Sequence, residues 1–234
     1  MFTGGEPTID RNLPEYLRIC AAAGVPEISV YTNGMALSSL AYTRRLADAG
    51  ANLFLISLHS RHAGTSDAIT RTPGGFNKTV RGISNAISTG ALVVLNYVIN
   101  TMNFRETPAF VSFAADRFPG AVINFSYVAP ILDAAADMSV VPKFRDAAPH
   151  IIKALDEAAR LGADATGLEP HRGIPPCALN ADERYFPFLP PLTELFTGFI
   201  KPAACKRCRL DSSCPGVRKN YAALHGLDEL RPLR

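Results

Sequence analysis

Short apolar runs alternate with amphipathic stretches over roughly the first half of the chain, and that alternation restricts the fold more than any other feature. The spacing predicts helices over Asp10–Ala23, Leu37–Ala49, Phe76–Ser88 and Phe104–Arg117. Strands are predicted over Glu27–Tyr31, Asn52–Leu58, Ala91–Ile99 and Ala121–Val128. In the first helix Leu13, Leu17 and Cys20 or Ala21 share one face, and Gly24 supplies the stop. Strands separated by helices need crossover connections, so the sheet should be parallel with right-handed connections. A nearly continuous apolar run such as Asn52–Leu58 should then be buried on both faces. In such sheets, functional groups collect where strands end and the following loops begin.

Residues 129–149 read as a connection, and Ile151–Leu161 as a helix stopped by Gly162. After Thr166 the character changes: prolines recur at 170, 175, 176, 187, 190, 191 and 202, and regular periodicity ends. This suggests two regions, an α/β domain over 1–165 and a small irregular Cys-rich domain over 166–234. With 47% hydrophobic and 19% charged residues, the chain of 234 residues is globular rather than disordered. Its longest apolar run, Ala91–Ile99, is interrupted by Asn96 and is too short to span a bilayer. No secretory pattern opens the chain, so the expectation is a cytoplasmic protein without a membrane partner. A net charge of +3 does not by itself suggest nucleic acid. The positive charge is local, with Lys201, Lys206, Arg207, Arg209, Arg218 and Lys219 in one segment and Asp211 the only acid among them.

Four features carry polar chemistry at predicted strand ends. In Phe2-Thr3-Gly4-Gly5-Glu6-Pro7-Thr8, two glycines allow a close backbone approach, Glu6 is presented beyond a strand, and Pro7 fixes the turn. The same residues are equally compatible with a Gly-Gly turn followed by a helix-capping acid. Asn33, in Thr32-Asn33-Gly34, either faces a pocket or is a turn asparagine. Ser57 ends the next strand, with His59 just beyond it. Asn96 interrupts an apolar strand, and a buried amide needs a partner, either a ligand or neighbouring backbone.

Taken in order, this Gly-Gly-Glu segment, helix, strand, Thr-Asn-Gly turn, helix and buried strand ending in Ser-Leu-His resembles the radical S-adenosylmethionine (SAM) superfamily. The resemblance implies an incomplete (β/α)6-type partial TIM barrel. It implies that Gly4, Gly5, Glu6 and Pro7 bind the methionyl end of SAM, with Asn33, Ser57 and Asn96 on the same pocket. The activity implied is reductive cleavage of SAM to a 5′-deoxyadenosyl radical that modifies a peptide or cofactor precursor, with a flavodoxin or ferredoxin as electron donor. Glu6 is expected to matter for SAM affinity and not for folding.

Five cysteines are present, an odd number that argues against a disulfide framework in a chain read as cytoplasmic. Cys205-x2-Cys208-x5-Cys214, with Cys177 upstream, offers four thiolates. Spacing alone suits a structural zinc as well as an iron–sulfur cluster. The resemblance points to a C-terminal SPASM or twitch extension with an auxiliary [4Fe–4S] cluster. The longer signature continues with a cysteine where this chain has Arg218, which favours the single-cluster twitch form. The surrounding basic residues would then stabilise the cluster's negative charge. Cys20 is expected in the core. The family's catalytic Cys-x3-Cys-x2-Cys loop occurs nowhere in the sequence. The resulting expectation is a chain lacking its first βα unit, inactive alone, and poorly soluble through the exposed Glu27–Tyr31 edge. A catalytic [4Fe–4S] cluster would return only with the missing segment. Rival readings are a non-catalytic paralogue that binds SAM or a peptide, and a zinc-containing binding module.

Overall fold

Four of the expected strands form within two residues of their predicted bounds, as β1 (Ser29–Thr32), β2 (Leu53–Ser57), β3 (Leu92–Ile99) and β4 (Val122–Tyr127). The computed structural model describes residues 1–129, 137–180, 190–193 and 196–233. A short β5 (Ala165–Thr166) joins them in a five-stranded sheet of order β1-β2-β3-β4-β5. β1 and β2 pair in parallel with Ser29 opposite Leu53, and β2 and β3 in parallel with Ser57 opposite Asn96. Phe2 forms an isolated parallel bridge to Val30 and so caps the free edge of β1. Among the described residues the sheet is open and has five strands.

The helices are α1 (Leu13–Ala22), α2 (Leu40–Asp48), α3 (Ala63–Thr70), α4 (Gly75–Ile87), α5 (Thr107–Arg117), α6 (Phe144–Leu161) and α7 (Lys219–His225). Sequence periodicity missed α3, whose short length presents no clear apolar stripe. Its Asp67 caps the next helix instead, accepting from Gly74 N at 2.6 Å and Phe76 N at 2.8 Å. That bond supplies the acceptor that Gly74, at the N-cap of α4, cannot.

Three other expectations need correction. The strands are not buried on both faces. Phe54, Ile56, Val93, Leu95, Tyr97 and Ile99 are buried, while the alternate residues Leu55, Ser57, Val94 and Asn96 are only half-buried. One face of the sheet is therefore packed and the other partly open, and it is the open face that carries the polar residues. Next, α6 begins at Phe144, inside the segment read as a connection, part of which (130–136) lies outside the described residues. Pro149 lies inside this helix, but Phe144, Ala147, Ala148, Ile151, Ala154, Leu155 and Ala158 are all buried at helical spacing. Burial of that stripe outweighs the lost backbone bond. Finally, the region after Thr166 contains a two-stranded antiparallel pair, β6 (Phe199–Ile200) with β7 (Val217–Arg218), followed by α7. Pro187 lies outside the described residues.

The chain divides into two compact units. The first comprises 1–97, 109–124 and 158–165, and the second 98–108, 125–157 and 166–234. Leu13, Leu17, Leu46, Phe54, Ile56, Ile83 and Phe110 form the core of the first. Cys20 is only half-buried there, because α1 turns Leu13 and Leu17 inward and leaves Ile19 61% exposed. Among the described residues no helix is long and apolar enough to cross a membrane.

Close packing fixes the Thr32-Asn33-Gly34 turn. Gly34 has φ +76°, and a Cβ there would sit 2.6 Å from Ile56 Cγ2. A Cβ on Gly82 of α4 would sit 2.2 Å from the Gly34 carbonyl oxygen. Gly82→Ala is therefore expected to destabilise the protein by about 2 kcal/mol despite alanine's better helix propensity. Gly64→Ala is the control: nothing lies within 4 Å of its Cβ position, so denaturant unfolding should show no loss.

Candidate functional site

In the first unit, the loop after Phe2 turns sharply because Gly4 and Gly5 take φ +98° and +60°. No atom lies within 4 Å of a Cβ position on either, so glycine is required by backbone conformation and the space beside the loop is open. Pro7 opens a 3-10 turn, Pro7–Ile9, capped by the Glu6 side chain. Glu6 Oε1 accepts from Thr8 N at 3.1 Å, Thr8 Oγ1 at 2.5 Å and Thr32 Oγ1 at 2.6 Å. Glu6 Oε2 accepts from Asn33 N at 2.7 Å. The carboxylate thus ties the loop to the end of β1. This corrects the expectation that Glu6 is dispensable for folding, since a buried hydroxyl and two backbone N–H groups depend on it. Oε2 carries one recorded bond, which leaves lone-pair capacity for a further donor.

The other expected residues are distributed across the same strand ends. Asn33 forms an Asx turn, its Oδ1 accepting from Met35 N at 2.9 Å, while its carbonyl accepts from Thr79 Oγ1 at 2.8 Å. Ser57 and Asn96 are register partners on the half-open face. Asn124 Nδ2 donates to Asn96 Oδ1 at 2.8 Å, so a neighbouring strand supplies a partner to the Asn96 amide. The sequence reading missed Thr8, Thr32 and Asn124. Asn124 was detectable by the signal that flagged Asn96, an amide inside an apolar strand, here Ile123-Asn124-Phe125.

Burial pushes His59, just past β2, down to about 4. The ring is neutral at pH 7, and the unfolded chain binds the extra proton first as pH falls. Stability is thus complete above pH ~6.5 and declines toward pH 4, by about 2 kcal/mol at pH 5. His59→Gln should flatten that slope in urea unfolding compared at pH 7.5 and 5.

In the second unit, Cys177, Cys205, Cys208 and Cys214 line one cavity, together with Pro175, Pro176, Lys201, Asp211, Leu230 and Leu233. Its non-protein space is ≈ 360 Å³, open mouth included. Cys177 follows two buried prolines in a 3-10 turn, Pro176–Leu179, and Cys205 and Cys208 sit at the end of another, Ala203–Arg207. Burial pushes the Cys177 and Cys205 thiols up, and Cys214 up to about 11. Cys205 also feels the charge of Cys177 and Cys208, and Cys214 that of Cys177 and Cys205, so the sulfurs lie within electrostatic reach of one another. Among the described residues no three His, Cys, Asp or Glu side chains converge as a single metal ion would require. Of the basic residues, Lys201 lines the cavity and pairs with Asp211 at 2.5 Å. Lys206, Arg207, Arg209 and Lys219 are exposed. Arg218 lies over the Phe199 ring at 5.0 Å.

An α/β protein with a parallel sheet, and with an acid-bearing Gly-Gly loop and polar strand ends on its open side, is the class these features define. Residues 1–114 match the model of the Radical SAM superfamily. Through this segment the chain is similar to the radical SAM superfamily. It is 37% identical over 113 residues to the probable GTP 3′,8-cyclase of Saccharolobus islandicus (strain Y.N.15.51 / Yellowstone #2), covering 48% of this chain and 36% of the relative. It is 38% identical over 117 residues to the probable GTP 3′,8-cyclase of Sulfolobus acidocaldarius, with the same coverage. The chain thus matches 36% of the length of these curated relatives. The fold is similar to that in the crystal structure of a domain of pyruvate-formate lyase-activating enzyme from Bacteroides vulgatus ATCC 8482. The TM-score is 0.54 at 16% identity, over 71% of this chain and 96% of that one. At that identity the likeness concerns the fold alone.

Proposed function

We propose that the first unit binds SAM for reductive cleavage and that the four thiols of the second hold an auxiliary [4Fe–4S] cluster. The observation that carries the first half is the Glu6 carboxylate, locked against Thr32 and Asn33 with one oxygen still able to accept. In a site shielded from water, a carboxylate attracts an ammonium group far more strongly than at a surface. Glu6 receives the methionyl ammonium, Gly4 and Gly5 let the backbone approach it, and Pro7 holds the loop. Ser57 and Asn96 offer a hydroxyl and an amide to the carboxylate or ribose, and Asn33 shapes the turn beneath them.

One electron delivered to the sulfonium breaks its carbon–sulfur bond, giving methionine and a 5′-deoxyadenosyl radical that takes a hydrogen atom from the substrate. A flavodoxin or ferredoxin is the proposed donor. The Cys-x3-Cys-x2-Cys spacing is absent from this sequence, so no residue here is assigned to a catalytic cluster. A peptide or cofactor precursor is the proposed substrate, and relatives named as GTP cyclases add a nucleotide to the classes worth assaying.

The donor set of the second unit fits a cluster. Four thiols around one cavity suit a cage that presents a different iron to each sulfur. The bound cluster supplies one-electron redox chemistry. Cys177, Cys205, Cys208 and Cys214 would hold it, and the Lys201–Asp211 pair borders it. This assigns residues 166–234 as the auxiliary-cluster region.

SAM titrated calorimetrically into the anaerobically isolated protein tests the first half. Saturable binding is expected, weakened about threefold to tenfold by Ser57→Ala through loss of one hydrogen bond. No saturable binding in protein that carries iron would overturn the SAM assignment.

A further inference from the structure

We propose that Leu230–Leu233 is a strap that closes the cysteine cavity and tunes the cluster there through a backbone N–H···S hydrogen bond, with Glu229 as its positioning residue. This rests on the cluster reading above. Leu230, Pro232 and Leu233 form an apolar wall of the cavity. Leu233 N donates to Cys208 Sγ at 3.4 Å, and Cys177 lines the same cavity. The strap is clamped from the other side by Arg209 N, which donates to the Leu233 carbonyl at 2.9 Å. One short segment thus bonds Cys208 and walls the cavity that it shares with Cys177.

Glu229 sets where that segment begins. Its side chain is only 8% exposed, accepts from the Tyr221 hydroxyl and from Arg145 N at 3.0 Å, and pairs with Arg145 Nε at 3.3 Å. Tyr221 in turn stacks on Phe144, ring centroids 4.0 Å apart, and its hydroxyl accepts from Phe144 N at 2.9 Å. The starts of α6 and α7 therefore hold Glu229, and Glu229 holds the strap over the sulfurs.

N–H groups aimed at cluster-bound sulfur stabilise the more negative, reduced form, and an apolar wall limits solvent access. Removing one N–H should move the reduction equilibrium about threefold to tenfold toward the oxidised form, tenfold being about 59 mV for a one-electron couple. Releasing the strap should speed iron loss.

The test uses anaerobically isolated protein, with midpoint potentials from redox titration followed by electron paramagnetic resonance, and iron release to a chelator. Leu233→Pro deletes the N–H together with the leucine side chain and should lower the potential, whereas Leu233→Ala loses the side chain but keeps the N–H and should not. Glu229→Ala should speed iron release several-fold. If wild-type protein holds no iron and sulfide, the cluster reading fails and the strap with it. If it holds a cluster but Leu233→Pro and Glu229→Ala match wild type in potential and iron release, the strap alone is overturned.

Discussion

Glu6→Ala is expected to lower the stability of the protein by about 3 kcal/mol and to weaken SAM binding in addition. The carboxylate accepts two backbone N–H groups and two threonine hydroxyls. Thr32 is 6% exposed, so its hydroxyl loses Glu6 in a place water does not readily reach. Each abandoned buried donor costs on the order of 1–3 kcal/mol, and local rearrangement of the loop recovers part of the total. Glu6→Gln keeps an acceptor for the threonines but sets an NH2 group against the Asn33 N–H, and should cost about half as much. Denaturant unfolding measures the structural share. Calorimetry on both variants measures the binding share, because glutamine removes the charge while sparing most of the loop. Unchanged stability in Glu6→Ala would mean that the loop does not hang on this side chain.

Cys208→Ser is expected to abolish the broad absorbance near ~400 nm of a thiolate-bound cluster, and Cys20→Ser to leave it intact. Cys208 lines the cavity with Cys177, Cys205 and Cys214, whereas Cys20 belongs to α1 of the other unit. Burial also makes loading dependent on pH. A thiol pushed up to about 11, as Cys214 is, must give up its proton to become a ligand. Ligation therefore strengthens as pH rises below that value, by up to about tenfold per unit for each proton released. Reconstitution yields at pH 6.5 and 8.5 should differ in that direction, and equal yields would argue against thiolate ligation.

The sheet was legible because its signal is local: apolar runs such as Leu53–Ser57 and Leu92–Ile99 stand between helices with their own stops. The loop chemistry was legible only in outline. Gly-Gly-Glu-Pro marks the turn, but nothing near Glu6 in sequence announces that Thr32 and Asn33, 26 and 27 residues away, share its carboxylate. α6 was cut short because residues up to 149 read as a connection, whereas its apolar stripe becomes decisive only once something packs on it. The cysteine spacing singled out thiols that do line one cavity. It could not reveal the strap, since Leu230–Leu233 contributes a backbone N–H and apolar cover, neither of which leaves a residue-type signature.

The central claim, a SAM-dependent radical enzyme segment joined to a cluster-bearing cysteine cavity, is tested most directly by elemental analysis of protein isolated without oxygen. Iron, acid-labile sulfide and zinc would be counted per chain in wild type and in Cys208→Ser. The account predicts about four iron and four sulfide in wild type and loss of both in the variant. One zinc per chain, with neither iron nor sulfide, would contradict it.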